Sequence, residues 1–251
     1  MHAWTISGDP TQHPEPWGQI GAFSTLRLFP NRLIPFRSTY LGRLLESATL
    51  LQLPWIPELT LLEARLDQYL SESTIEEGLI RICLFENSIG ISDRPAKSYG
   101  KAVNGLLLPY RRPIPRAKST QEKELYGRLS ELDISTEDWI INDPKENEIS
   151  ESATSNLIFV CGDSLIIPEK QILPGIILSH LLPALAHSFR IIRATPKAHD
   201  LSQYNEILLC GTGRGVAPLT ALPELNWSSK SDAVLKQVRL TYENLLQRAD
   251  D

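Results

Sequence analysis

The sequence predicts an α+β protein built as two domains. Strand-like runs and amphipathic helical runs are mixed without the strict alternation that a doubly wound sheet requires. A stretch rich in proline and arginine, residues 108–116 (LPYRRPIPR), interrupts the chain near its middle. Proline there fixes φ and removes donors, so the stretch reads as extended linker rather than central strand. The expected division is a small N-terminal α/β domain over 1–112 and a larger C-terminal domain over 113–251. With 251 residues, 42% hydrophobic and 22% charged, the chain is long enough to give each domain a core. That composition excludes disordered, collagen-like and coiled-coil classes.

Residues 22–28 (AFSTLRL) alternate loosely as a strand and end in a Pro30-Asn31-Arg32 turn. Leu41, Leu44, Leu45, Ala48 and Leu51 recur at helical spacing. A second helix is expected over about 60–70, and residues 79–85 (LIRICLF) read as a strand. Ser119 with Glu122 fits a capping box, which predicts a helix start there. Strands follow at 139–142, 156–161 and 164–167, the last two joined by a Gly162-Asp163 hairpin turn. A helix opens near Gly175 after Pro174. Strands at 191–194 and 207–210 precede a closing amphipathic helix over 232–248, with Ser231 as its N-cap.

A net charge of −5 argues against a nucleic-acid binder, while leaving room for a local phosphate pocket. Cys83, Cys161 and Cys210 are odd in number and lie in apolar runs, so they read as buried structural thiols rather than metal ligands or disulfides. The first residues carry no apolar signal core, and the stretch 172–186 is broken by prolines. A soluble protein of a reducing compartment is therefore expected, with no membrane partner. The five histidines form no metal-ligand cluster, and His180 and His187 read as ordinary residues of one helix.

Three features could carry chemistry. Gly211-Thr212-Gly213-Arg214-Gly215 follows an apolar strand, and a glycine-rich turn can cradle a phosphate on its amides. Valine at 216 spoils a dinucleotide fingerprint, and a plain turn is the ordinary alternative. Leu173-Pro174-Gly175 opens a helix whose first amides, at Ile176 and Ile177, suit an anion. Lys118 stands just before the predicted capped helix, where the dipole would favour a neutral amine, the form Schiff-base chemistry needs. On its own each has an ordinary reading: Lys118 a solvated lysine, Glu151 an exposed loop carboxylate.

Residues 151–156 (ESATSN), running into Leu157-Ile158-Phe159, resemble the E-x-S/T-x-x-N signature of the class IV, or fold type IV, pyridoxal-phosphate enzymes. The likeness continues through residues 165–168 (LIIP) and 173–176 (LPGI). Lys118-Ser119-Thr120, 33 residues before Glu151, resembles the family's lysine context. Residues 211–218 resemble its late G-T segment, 21–27 (GAFSTLR) its early G-V-F-E-T-L-R strand, and Arg43 stands where an H-L-x-R-L motif supplies an arginine. The likeness spans about 18–222 in matching order. Departures are Ser24 for Glu, Tyr40 for His, Glu122 for Asn, Lys123 for Tyr, Ile167 for Thr and Leu178 for a basic residue.

The resemblance implies a two-domain fold of the D-amino-acid aminotransferase kind, with pyridoxal 5'-phosphate held between the domains of a cytoplasmic homodimer. It implies that Lys118 holds the cofactor and acts as general acid and base. Glu151 would face the ring nitrogen. Arg43, Ile176, Ile177, Gly211 and Thr212 would hold the phosphate, with Asn156 as a further cofactor contact, and no metal is implied. Within the family the expected activity is a lyase that turns 4-amino-4-deoxychorismate into 4-aminobenzoate and pyruvate for folate synthesis. Lys123 in place of tyrosine and the basic run Arg111, Arg112 and Arg116 favour it. The alternatives are a branched-chain or D-amino-acid transaminase using the same lysine, and a non-catalytic relative that kept the fold.

Overall fold

The computed structural model describes residues 1–248, which divide into two compact units. The smaller unit comprises 1–96 and 114–127, and the larger comprises 97–113 and the residues from 128 onward.

The smaller unit holds strands β1 (His2–Thr5), β2 (Pro10–Thr11), β3 (Gly21–Leu28), β4 (Gly78–Phe85) and β5 (Ser88–Arg94), with helices α1 (Arg37–Leu50), α2 (Leu59–Glu72) and the single turn α3 (Lys123–Tyr126). The strands form one antiparallel sheet in the order β2-β1-β5-β4-β3. Side chains alternate across a strand, so pairing decides which residues share a face. Leu26 lies opposite Ile80, Ser24 opposite Ile82 and Ala22 opposite Leu84. Ile82 and Leu84 in turn lie opposite Ile91 and Ile89. This face packs with α1, which buries Tyr40, Leu41, Leu44 and Ala48. Each fully buried leucine or isoleucine here stabilises the fold by about 1.5–3 kcal/mol. The other face carries Phe23 opposite Cys83, and Arg81 between Thr25 and Ser92.

The larger unit holds β6 (Val103–Pro109), β7 (Glu137–Asp143), β8 (Glu148–Ser152), β9 (Asn156–Cys161), β10 (Ser164–Ile167), α4 (Ile176–Leu185), β11 (Arg190–Arg193), β12 (Glu206–Gly211), β13 (Gly215–Leu222), β14 (Trp227–Ser228) and α5 (Ala233–Arg248). Its sheet runs β11-β10-β9-β12-β13-β6-β7-β8, and β8 pairs again with β9. That second pairing closes six strands into a ring, which removes two exposed edges. The apolar cluster includes Val103, Ile140, Ile149, Leu157, Phe159, Leu209, Ala217 and Leu219. The buried Glu206 carboxylate accepts from Val234 and Leu235 N–H at 3.0 and 2.8 Å, and Ser231 Oγ accepts from Ala233 N–H. These satisfy the orphan donors at the start of α5.

Several sequence expectations are corrected. The contact division is not one cut near 113: the chain returns to the smaller unit at 114–127, because 118–120 pairs with β3. Leu108 and Pro109 are not linker but the end of β6, which lies between β13 and β7. Proline is tolerated there because it is the strand's last residue. The helix expected after Ser119 is the one-turn α3, and Ser119 Oγ accepts from Gln121 N–H instead of capping it. Cys83 and Cys210 are buried, but Cys161 is exposed at the end of β9, beside the Gly162 turn. His180 is on α4 and His187 lies past its end. Among the described residues no helix is long and apolar enough to cross a membrane.

Candidate active site

Lys118 lies in an extended segment laid along β3. Its carbonyl accepts from Phe23 N–H at 3.0 Å, its own N–H donates to Ser47 Oγ of α1 at 3.2 Å, and Thr120 N–H donates to Gly21 O at 2.9 Å. The helix-dipole argument for this lysine therefore does not apply, since α3 begins only at Lys123. What surrounds the amine is aromatic. Nζ lies 4.6 Å from the centroids of both Phe23 and Tyr126 and donates to the Tyr126 hydroxyl at 3.2 Å. Trp17 stacks on Tyr126 at 5.5 Å. The phenol that Lys123 was expected to remove is thus supplied by Tyr126, one helical turn further on.

Arg43 is on α1, with its guanidinium 5.5 Å from the Tyr40 ring centroid and Nη2 donating to Ser24 Oγ at 3.5 Å. Two departures from the family pattern, Ser24 and Tyr40, therefore both touch this arginine.

The smaller unit carries a cavity of about 500 Å³ whose lining includes His13, Glu15, Trp17, Arg81, Asp93 and Arg94. The Arg81 guanidinium carbon is 4.7 Å from the Trp17 centroid and 5.8 Å from that of Phe23, the ring that Lys118 also covers. Arg81 Nε and His13 Nε2 are buried without hydrogen-bond partners. Burial pulls the half-buried Arg81 guanidinium below its usual value, opposed by the charges of Cys83 and Glu15. Arg94 is exposed at the end of β5, and the Arg81 charge helps to lower it. A Cβ on Gly90 would come within 2.8 Å of His13 Nε2, so glycine there is what lets the imidazole lie against β5. Partly burying a guanidinium whose Nε has no partner is costly, and an anion in the cavity would offset that cost. None of this was visible in the sequence, because Arg81, Arg94 and His13 meet only through strand pairing.

In the larger unit Glu151 is not a loop carboxylate but a buried residue of β8. Its Oε1 accepts from Arg112 Nη1 at 3.0 Å, and its Oε2 from Leu173 N–H at 3.1 Å. Asn156, opposite Glu151 in the β8–β9 pair, donates through Nδ2 to Leu173 O at 2.8 Å. The two side chains thus hold both sides of the Leu173 peptide just before α4. A Cβ on Gly175 would fall 1.6 Å from Asn156 Oδ1, so only glycine fits. The first α4 amides, at Ile176 and Ile177, have no acceptor within the helix. A Cβ on Gly211 would lie 2.5 Å from Ser155 Oγ, which seats the Gly211–Gly215 turn on the turn that follows Glu151. The larger unit therefore brings Glu151, Asn156, Ile176, Ile177 and Gly211 around connected backbone. These close backbone approaches and open amides fit a phosphate-bearing cofactor.

The basic run expected to aid a dicarboxylate is already paired. Arg111 meets Asp143 at 2.6 Å, Arg112 meets Glu151 at 3.0 Å and Arg116 meets Glu46 at 3.0 Å. Among the described residues no cluster of three or more His, Cys, Asp or Glu is placed to hold a metal.

A profile of the amino-transferase class IV family matches residues 21–222, and the chain belongs to that family; it is an α+β enzyme dependent on pyridoxal phosphate. Among solved structures it is similar to a branched-chain aminotransferase of Thermoproteus uzoniensis crystallised with norvaline (TM-score 0.83, 16% identity, 99% of this chain and 95% of that one). It is also similar to a hypothetical aminotransferase of Mycobacterium tuberculosis in its pyridoxal-phosphate-bound form (TM-score 0.74, 18% identity, 98% and 99%). A third is a candidate 4-amino-4-deoxychorismate lyase of Legionella pneumophila (TM-score 0.76, 16% identity, 90% and 91%). No curated protein sequence matches.

Proposed function

We propose that the chain is an amino-acid transaminase, with Lys118 holding the cofactor and moving the proton. The observation that carries this reading is the hydrogen bond of 3.2 Å from Lys118 Nζ to the Tyr126 hydroxyl. Pyridoxal 5'-phosphate supplies an aldehyde that takes amines covalently and a ring that withdraws electrons. In transamination the lysine amine must take a proton from one carbon and deliver it to another. A phenol in contact with that amine fixes its direction and gives it a second proton carrier. Glu151, made rigid by Arg112 and the Leu173 amide, would hold the ring nitrogen protonated. Arg43, Gly211, Thr212 and the amides of Ile176 and Ile177 would take the phosphate, with Asn156 fixing the segment that leads into α4. Arg81 and Arg94 would take the substrate carboxylate.

The lyase reading is kept for one observation: Arg81 and Arg94, neither in an ion pair among the described residues, line the same cavity, alongside Glu15 and Asp93, and two arginines suit a dicarboxylate such as 4-amino-4-deoxychorismate. Its two sequence grounds are weakened, since Tyr126 restores the phenol and the basic run is paired. Either reading carries with it a cytoplasmic homodimer with a small-molecule substrate and no nucleic-acid or membrane partner.

Borohydride reduction of cofactor-loaded protein, followed by peptide mapping, should place the adduct on Lys118; Lys118→Ala should fold and give none. An adduct on Lys101 or Lys123 would overturn the assignment. Branched-chain, D- and L-amino acids should each be tested for conversion of the cofactor to its amine form. In parallel, 4-amino-4-deoxychorismate should be supplied while 4-aminobenzoate and pyruvate are followed. Aromatic product without amino-acid half-reactions would establish the lyase instead, and silence in both with cofactor bound would support a non-catalytic relative.

A further inference from the structure

We infer that Arg214 and Asp138 form a positioning pair that pre-orders the Gly211–Gly215 turn for a phosphate. The inference rests on the proposed placing of the cofactor phosphate at Thr212.

Arg214 belongs to that turn, yet its side chain is only 1% exposed, and Asp138 on β7 is fully buried. Arg214 Nε donates to Asp138 Oδ2 and to Thr154 Oγ1, both at 3.1 Å, and Nη2 donates to Glu137 O. The same Asp138 Oδ2 accepts from Ser152 Oγ at 2.9 Å and from Thr154 Oγ1. One carboxylate oxygen therefore ties the 211–215 turn to the 152–155 turn that follows Glu151. The backbone is held as well: Arg214 O accepts from Gly100 N–H at 2.9 Å, and a Cβ on Gly215 (φ +63°) would come within 2.9 Å of the Tyr99 ring.

A turn of this composition is loose by itself, since glycine has the most freedom to lose. If the turn were ordered only on binding, the ligand would bear that entropy, and preorganisation is what removes the cost. Arg214 does not point to the ligand in this role; it acts through the backbone amides beside it. Asp138 Oδ1 and Arg214 Nη1 remain buried without partners, so the pair is costlier than its hydrogen bonds alone require. That cost is understandable for a group kept to hold the turn in one shape.

The test compares binding of pyridoxal and pyridoxal 5'-phosphate, followed by the absorbance of the lysine adduct, in the wild type, Arg214→Met, Arg214→Lys and Asp138→Asn. The readout is the ratio of the two dissociation constants. In the Met and Asn variants the preference for the phosphorylated form should fall by about tenfold or more, with pyridoxal affinity held within about twofold. Arg214→Lys keeps the charge and loses the planar fork; it should show the same direction of change and remains readable if the Met variant does not fold. Equal weakening of both ligands would mean a merely structural role and overturn the inference, as would an unchanged ratio. A wild type with no preference for the phosphorylated form would remove the phosphate reading itself, and the inference with it.

Discussion

Arginines at the candidate sites of the two units are treated in opposite ways. In the larger unit Arg112 faces Glu151 and Arg214 faces Asp138, each side chain at most 5% exposed. In the smaller unit half-buried Arg81 has no ion pair among the described residues and its Nε has no hydrogen-bond partner there, while exposed Arg94 stands near enough for the Arg81 charge to act on it. A paired buried charge is part of the finished fold. An unpaired one is tolerated when something else is to neutralise it, and here an open cavity adjoins it. The contrast separates residues that hold a site together from residues that wait for a ligand.

The largest effect expected from this contrast is at Glu151. Glu151→Ala would take the Glu151 carboxylate away from the buried Arg112 guanidinium and the Leu173 N–H, at a cost of about 3–5 kcal/mol. Glu151→Gln keeps the shape and an acceptor, so it should lose less stability while still losing most turnover through the ring nitrogen. Denaturant midpoints and kcat measured side by side would check both. A Glu151→Gln enzyme with kcat within a few fold of wild type would reduce Glu151 to a structural residue. Arg81→Met should behave in the opposite sense. Removing a half-buried cation that forms no ion pair among the described residues should leave stability unchanged or raise it by about 1 kcal/mol, while KM for the carboxylate substrate rises by about 10- to 100-fold. If Arg81→Met unfolds the protein as Glu151→Ala does, the two regions do not differ as argued.

Tyr126→Phe is milder. It removes one hydroxyl from the Lys118 contact and leaves the stacking with Trp17 intact. A decrease in kcat of about tenfold is expected, with a shifted pH profile and little change in KM. A matching loss in 4-aminobenzoate formation but none in amino-acid half-reactions would move the function toward the lyase.

The parts legible in the sequence were those with a strong local period. α1, α2, α5 and the β9–β10 hairpin follow directly from apolar spacing or a glycine turn. β5 and β6 were missed for different reasons. β5 carries Ser88, Gly90, Ser92 and Asp93, which mask alternation, while β6 ends at a proline and takes both of its partners in parallel from distant segments. Glu151 and Asn156 are legible as a pair because six consecutive residues hold both, and the β8–β9 pairing sets them opposite each other. Tyr126 was one turn from where a phenol was sought. Arg81, Arg94 and His13 were not readable at all, since β4 and β5 must pair, and the segment before β3 must fold over them, before these residues line one cavity.

The smallest effect concerns His13 and tests whether the cavity takes an anion. Burial is the main cause that lowers its imidazole below the ordinary 6.5, reinforced by the charges of the chain's first amino group and Arg81 and opposed by the Pro14 carbonyl and Glu15. The unfolded chain therefore binds a proton more readily than the folded one as pH drops below 6.5. Stability contributed by neutral His13 is present above that value and is lost as pH falls toward the depressed folded value, at no more than about 1.4 kcal/mol per pH unit for one proton. Urea midpoints at pH 7.5 and 5.5 should therefore differ more in the wild type than in His13→Gln, which cannot titrate. Succinate should narrow the wild-type difference, because a dianion in the cavity would favour the imidazolium beside Arg81 and Arg94. If His13→Gln keeps the full acid loss and succinate changes neither protein, the imidazole is screened from the arginines and the cavity is not the anion site that the comparison of the two units requires.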